Sequence, residues 1–246
     1  MKLKNSKTFV IGDIHGGLKA LKQVLSKANV TTNDKLIFLG DYVDGWSETP
    51  AVLDYLIQLS TSYNCVFMQG NHEEMLLKWL RKEDDNKLWR YHGGEVTVQA
   101  YQHISLGVIE KHINFLERLN EYHIDEKNRL FVHAGFTHLK GVTAEYFRGM
   151  FWWDRTLWET AMAVDGSLCP DNLRYPQRLK VYHEIYIGHT PVTRFGSSVP
   201  LNFANVWNID TGAAFTGKLS ILDVDTKEYW QSDSLPDLYP AEKGRN

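Results

Sequence analysis

The chain has 246 residues, which fits one large α/β domain or two small ones, and its 43% hydrophobic content is enough for a sizeable core. A formal net charge of −3 excludes the broad basic face that a nucleic-acid polymer requires, so any anion binding must be local. No apolar run approaches the roughly 20 residues of a membrane helix, and the polar, lysine-rich residues 1–7 hold no signal-peptide core; the expectation is a cytoplasmic protein with no membrane partner. Two cysteines, Cys65 in an apolar run and Cys169 in a loop-like stretch, make no disulfide framework.

Along the chain, Thr8–Ile11 is a short β-branched and apolar run ending at Gly12. Leu18, Leu21, Val24, Leu25 and Ala28 then recur at helical spacing. Residues 36–39 form a second strand-like run ending in Gly40, and residues 51–59 a second helix with Thr49 as its N-cap and Pro50 in its first turn. Residues 65–68 read as a third strand, Gly70 follows, and residues 73–81 read as a third helix. This βαβαβα order predicts parallel strands with helices on the faces of the sheet.

The pattern loosens over residues 82–127, where an exposed charged turn at 82–87 precedes two helices. Arg129–Val132 is another strand, residues 144–164 are Trp-rich and partly helical, and residues 165–178 form a loop. Strands follow at 181–187 and 206–209, and 219–224 closes a hairpin with the segment around Tyr229. The chain thus reads as one domain over 1–233, with a helical insertion at 82–127, a cap or loop region at 144–178, and a loosely held polar tail at 234–246.

In such sheets ligands bind beyond the carboxyl ends of the strands. Each early strand is followed by Gly and then a polar residue: Gly12-Asp13, Gly40-Asp41, Gly70-Asn71. With His15, His133 and His189, six candidate metal ligands lie just past strand ends. Asp13 and His15 are two apart, the spacing for one side of an extended segment. Carboxylate and imidazole without thiolate suit Mn, Fe or Zn and disfavour a Ca or simple Mg site. Two ions about 4 Å apart can clamp a phosphoryl group and activate a bridging water for in-line attack. Such a pair needs one shared anionic ligand, a part Asp41 can play, and an acid for the leaving oxygen. His72 is placed to be that acid, with Asp44 holding its ring.

The segments Gly12-Asp13-Ile14-His15-Gly16, Gly40-Asp41-Tyr42-Val43-Asp44-Gly45 and Gly70-Asn71-His72-Glu73 resemble the three signature motifs of the metallophosphoesterases. They most resemble the phosphoprotein-phosphatase branch, which includes serine/threonine protein phosphatases and symmetrical diadenosine tetraphosphatases. His133-Ala134-Gly135 and Gly188-His189-Thr190 resemble its fourth and fifth motifs. The resemblance runs from about Phe9 to Leu222 and implies a four-layer αββα sandwich of two mixed sheets. It also implies that Asp13, His15 and Asp41 hold one divalent ion and Asp41, Asn71, His133 and His189 a second, with manganese the expected metal. His72 would be the general acid and Asp44 its support.

One departure stands out. The family usually places Arg after the second Asp of the second motif, where it holds phosphate oxygens; here Gly45 and Trp46 follow Asp44. On that reading Gly45→Arg should strengthen monoester binding. Trp153-Asp154-Arg155 resembles a Trp-x-Arg segment of bacterial members, which makes Arg155 the substrate clamp, with Asn71 beside it. The expected activity is hydrolysis of phosphate monoesters, in a phosphorylated protein or a small phosphoester. The alternative is a nucleotide anhydride such as diadenosine tetraphosphate, with Trp46 or His92 stacking on a base. A rival of another class is a metal-binding regulator without turnover. Trp46 reads first as a loop aromatic, the cluster Trp152, Trp153 and Trp158 as packing, and Asp210-Thr211-Gly212 as a structural turn near the site.

Overall fold

The computed structural model describes residues 6–245. The lysine-rich start read at 1–7 lies outside the described residues as far as Asn5. Ten strands are present among them: β1 (Thr8–Ile11), β2 (Lys35–Phe38), β3 (Asn64–Phe67), β4 (Tyr122–Ile124), β5 (Arg129–Val132), β6 (Glu184–Ile187), β7 (Leu201–Phe203), β8 (Val206–Asn208), β9 (Ser220–Asp223) and β10 (Tyr229–Gln231). They form two five-stranded sheets, β10-β9-β1-β2-β3 and β4-β5-β6-β8-β7. The expected parallel β1-β2-β3 set is present, and β9 and β10 extend it antiparallel. In the second sheet β5, β6 and β8 are parallel, with β4 and β7 antiparallel at the edges. The short edge strands β4 and β7 carry no apolar run and escaped the sequence reading.

Strand alternation explains the four layers. Val10, Ile37, Phe131, Tyr186 and Leu222 point between the sheets and form one apolar cluster. Their neighbours Phe9, Ile11, Leu36 and Phe38 face the other way, against helices α1 (Leu18–Lys27) and α2 (Thr49–Leu59). Leu130, Val132, Ile185 and Ile187 likewise pack on Leu157 and Trp158 of the helix Thr156–Ala163. Central strands buried on both faces read as continuous apolar runs, which is why their existence was plain but their two-sheet partition was not. The partition matches the αββα sandwich.

Three local readings differ. Helix α2 is capped at Glu48 rather than Thr49, whose hydroxyl accepts the Asp44 N–H (3.0 Å). Helix α3 (Asn71–Leu80) starts two residues before the expected Glu73, so Asn71 and His72 lie in its first turn. The tail expected to be loose is packed: Leu235 and Tyr239 are buried, and the Leu235 N–H donates to the Gly217 carbonyl (2.9 Å). Tyr239 stacks on Trp46 at a centroid distance of 5.3 Å. No helix among the described residues is long and apolar enough to cross a membrane.

Candidate metal and phosphate site

The expected ligands all leave the carboxyl end of a strand. Asp13 and His15 follow β1, Asp41 follows β2, Asn71 opens α3 after β3, His133 follows β5, and His189 follows β6; all six are buried. The chain is not extended between Asp13 and His15, as their spacing suggested, because His15 takes φ +50°. Asp41 (+50°), Asp44 (+70°) and His189 (+65°) share that left-handed geometry, which costs a non-glycine residue about 1–3 kcal/mol and concentrates at functional sites. Glycines let the loops converge. A Cβ at Gly40 would lie 2.8 Å from His133 Nδ1, and one at Gly70 2.2 Å from Asp41 Oδ1.

Glu73, to which no role had been assigned, ties these loops together. Its carboxylate accepts the N–H groups of Asp41 (2.8 Å), Tyr42 (2.7 Å), Val43 (3.3 Å) and Gly70 (2.9 Å). As the third residue of α3 it reaches back to the helix start in capping-box fashion, a signal legible in the Gly-x-x-Glu spacing.

Two groups of side chains could each hold an ion: His15, Asp41 and His72, and Asp41, His133 and His189, with ligand atoms within 4.8 Å of one another in each. Asp41 belongs to both. The donor chemistry fits cations. His133 Nδ1 lies 2.8 Å from the Leu39 carbonyl and His15 Nδ1 3.2 Å from that of Val43; a carbonyl only accepts, so both Nδ1 atoms carry the proton. Burial holds the His15, His133 and His189 rings below the ordinary imidazole range. Each Nε2 of His15 and His133 therefore presents a bare lone pair. His133 Nε2 faces Asn71 Oδ1 (3.2 Å) and Asp41 Oδ1 (3.4 Å), and His15 Nε2 faces Asp41 Oδ2 (3.5 Å). Acceptors turned on acceptors call for a positive charge between them. Asp13 Oδ1 and His189 Nε2, buried and without a hydrogen-bond partner, add to that demand. Asp13 also orients His189, accepting its backbone N–H at 2.9 Å.

The His72 ring is held through Asp44, which is itself held at several points. Its Nδ1 lies 2.6 Å from Asp44 Oδ2, which also accepts the Trp89 indole N–H (2.6 Å), while Asp44 Oδ1 accepts the Thr97 hydroxyl (2.6 Å). Trp89 and Thr97 come from residues 82–127, where the loosened pattern gave no hint of them.

Beside the metal groups, Arg155, Arg194, Arg245 and Asp210 line a small enclosed space with His15, Asp41, Asn71 and His189. That space adjoins a cleft of about 530 Å³ lined by His72, Met75, Leu88, His92, Trp153 and Phe215 together with the same three arginines. Arg155 Nη1 donates to the Thr190 hydroxyl (3.0 Å). Arg194 and Arg245 were not singled out, since neither lies in a motif. Asp210 is more than a turn residue: burial raises its carboxyl to about 6, with the Asp41 charge adding to the effect. Trp153, read as packing, stands half-exposed on the cleft, its indole N–H donating to Glu74 (3.0 Å). Trp46 cannot stack on a substrate, because it is fully buried with its indole N–H on the Ala213 carbonyl (2.7 Å). His92 does line the cleft.

The expectation for Gly45 is reversed by its surroundings. Gly45 has φ +88°, and a Cβ there would lie 3.3 Å from Arg245 Cγ and 3.4 Å from His15 Cβ. Gly45→Arg should therefore cost about 1–3 kcal/mol of stability through backbone strain and raise the KM for a monoester. A melting curve and an aryl phosphate titration check this; unchanged stability with a lower KM would restore the simpler expectation.

A family model described as calcineurin-like phosphoesterase matches residues 6–211. The asymmetrical bis(5'-nucleosyl)-tetraphosphatase PrpE of Oceanobacillus iheyensis is 28% identical over 241 aligned positions, covering 89% of each chain. The protein of that name from Bacillus cereus is 29% identical over 266 positions, covering 96% of this chain and 97% of its own. A solved structure described as a candidate diadenosine tetraphosphatase superposes on 93% of this chain and 95% of its own, with a TM-score of 0.63 and 19% identity. A protein serine/threonine phosphatase from Saccharomyces cerevisiae superposes on 93% and 80%, with a TM-score of 0.62 and 14% identity. At those identities the structural likeness is one of fold. The family match spans most of the sequence, including all five motifs whose side chains gather at the carboxyl ends of the two sheets, and the chain belongs to the calcineurin-like phosphoesterases.

Proposed function

We propose that the protein hydrolyses a bis(5'-nucleosyl) polyphosphate, cleaving it asymmetrically into a nucleoside triphosphate and a nucleoside monophosphate. The observation that carries this reading is the cleft of about 530 Å³ that opens from the metal groups, with Arg155, Arg194 and Arg245 at the junction and Trp153, Phe215, Met75 and Leu88 along the walls. Several guanidinium groups suit a chain of phosphates, and an aromatic and apolar wall suits a base. A lone monoester phosphate would use little of that space. The names of the relatives point the same way.

Asp13, His15 and Asp41 would hold one divalent ion, and Asp41, Asn71, His133 and His189 another, with manganese the first choice for an imidazole and carboxylate set. When bound, the ions supply Lewis-acid polarisation of the phosphoryl oxygens and a water nucleophile at neutral pH. The chain's own groups do the rest. Arg155 steadies the equatorial oxygens of the reacting phosphate. Asp44 holds the Nδ1 proton of His72, and the ring, acting as the imidazolium, gives the second proton, carried on Nε2, to the departing oxygen and is left neutral. Trp153 and Phe215 shelter the nucleoside from water.

The decisive comparison is kcat/KM on diadenosine tetraphosphate, a phosphoserine peptide and phenyl phosphate, with Mn, Fe and Zn supplied in turn. We expect the dinucleotide to lead by at least about tenfold, about 1.4 kcal/mol of added transition-state binding, with ATP and AMP as products. A phosphopeptide that matches or exceeds it would overturn this reading in favour of a protein phosphatase. Full metal occupancy with no turnover on any of the three would favour a regulator.

A further inference from the structure

The segment after Tyr239 returns to the site, and its course is fixed at several points. Ser47 donates through its backbone N–H and hydroxyl to the Glu242 carboxylate (2.9 and 2.8 Å). Gly244 lies on the Trp46 ring, where a Cβ would come within 2.8 Å of Cζ2. The Arg245 N–H donates to the Ala214 carbonyl (2.8 Å), and its guanidinium sits 5.4 Å from the centre of the Phe215 ring. Two glycines leave room for the side chain. A Cβ at Gly93 (φ +108°) would lie 2.9 Å from Arg245 Cγ, and one at Gly45 (φ +88°) 3.3 Å from it. The stem of Arg245 therefore passes over the second motif at the position that lacks an arginine. Its charged end lines both the enclosed space at the metal groups and the adjoining cleft. Its Nε is buried and has no hydrogen-bond partner. A buried guanidinium donor without an acceptor is costly, and the same side chain lines the space where a phosphate would lie.

We propose that Arg245 is a substrate-binding residue that holds phosphate oxygens beside the metal groups, supplying from a distant segment the guanidinium that Gly45 leaves out. The proposal rests on the phosphohydrolase reading above, so its test carries a readout that does not depend on turnover. Inorganic phosphate serves as the probe, titrated calorimetrically into metal-loaded full-length protein. R245A should weaken phosphate binding by about 10- to 100-fold, the loss of a charge-assisted hydrogen-bonded pair, and raise the KM for diadenosine tetraphosphate, with metal content and melting temperature unchanged. R245Q keeps the stem over Gly93 and lacks the charge, and it should bind phosphate as poorly as R245A. Phosphate binding by both variants within about twofold of wild type overturns the proposal, as does wild-type-like binding by R245Q alone, which would assign the residue a packing role. Lost phosphate binding in a protein that hydrolyses no dinucleotide upholds the arginine and removes only the substrate reading.

Discussion

Replacing His72 by Asn should lower kcat on phenyl phosphate by about 10²- to 10⁴-fold, the range for a general acid, while metal content stays at the wild-type level. The expectation rests on the Asp44 triad of donors. His72, Trp89 and Thr97 all point hydrogens at one fully buried carboxylate, which leaves the imidazole a single free nitrogen. Phenoxide, with a conjugate acid of pKa about 10 like a tyrosine, needs that proton as it departs. A nitrophenyl phosphate needs it less, so the defect should shrink there. Near-normal turnover of phenyl phosphate by His72→Asn, or equal defects on both esters, would remove His72 from the acid role. Equal defects on both esters together with a lower metal content would instead point to a ligand role, given the place of His72 within 4.8 Å of His15 and Asp41.

The contrast between Asp44 and its partners shows what the sequence could carry. Strand ends, the glycines behind them and the polar residues ahead of them are local features, and the loops after β1, β2 and β3 were legible from a few residues each. His133 and His189 became legible through motif order, since each again closes an apolar run. Trp89, Thr97, Arg194 and Arg245 reach the site by long-range packing, and no periodicity marks a residue that arrives that way. Trp46 misled for the same reason: a tryptophan at a loop tip reads as exposed until Tyr239 and Gly244 cover it. The second sheet was hidden because its central strands are apolar on both faces, as are those of the first. Glu73 was the one avoidable omission, since its spacing from Gly70 already described a helix start.

The remaining large effect belongs to Asp41. Asp41→Asn should leave neither ion position properly filled and lower kcat by about 10³-fold or more, the several kcal/mol that bound ions contribute to charge stabilisation. Asp41 is the carboxylate common to both ligand groups, and its Oδ1 also accepts the His72 N–H at 3.1 Å. Its charge acts on its neighbours as well. Burial, with Asp41 adding to it, raises Asp13, Glu73 and Asp210, the last to about 6. Raised carboxyls make the chelated protein lose stability as pH climbs from the unfolded value near 4 to the folded one, because the unfolded chain gives up its protons first. For Asp210 alone that window is about pH 4 to 6, worth up to about 3 kcal/mol. Added divalent ions should restore the loss, and restore more at higher pH, since ligands bind deprotonated. In Asp41→Asn the chelated protein should show a flatter decline over that window and no rise in melting temperature on adding manganese. Melting curves of both proteins, with chelator and with manganese at pH 5 and pH 7.5, make the comparison; an unchanged metal response in the variant would mean that Asp41 is not the shared ligand.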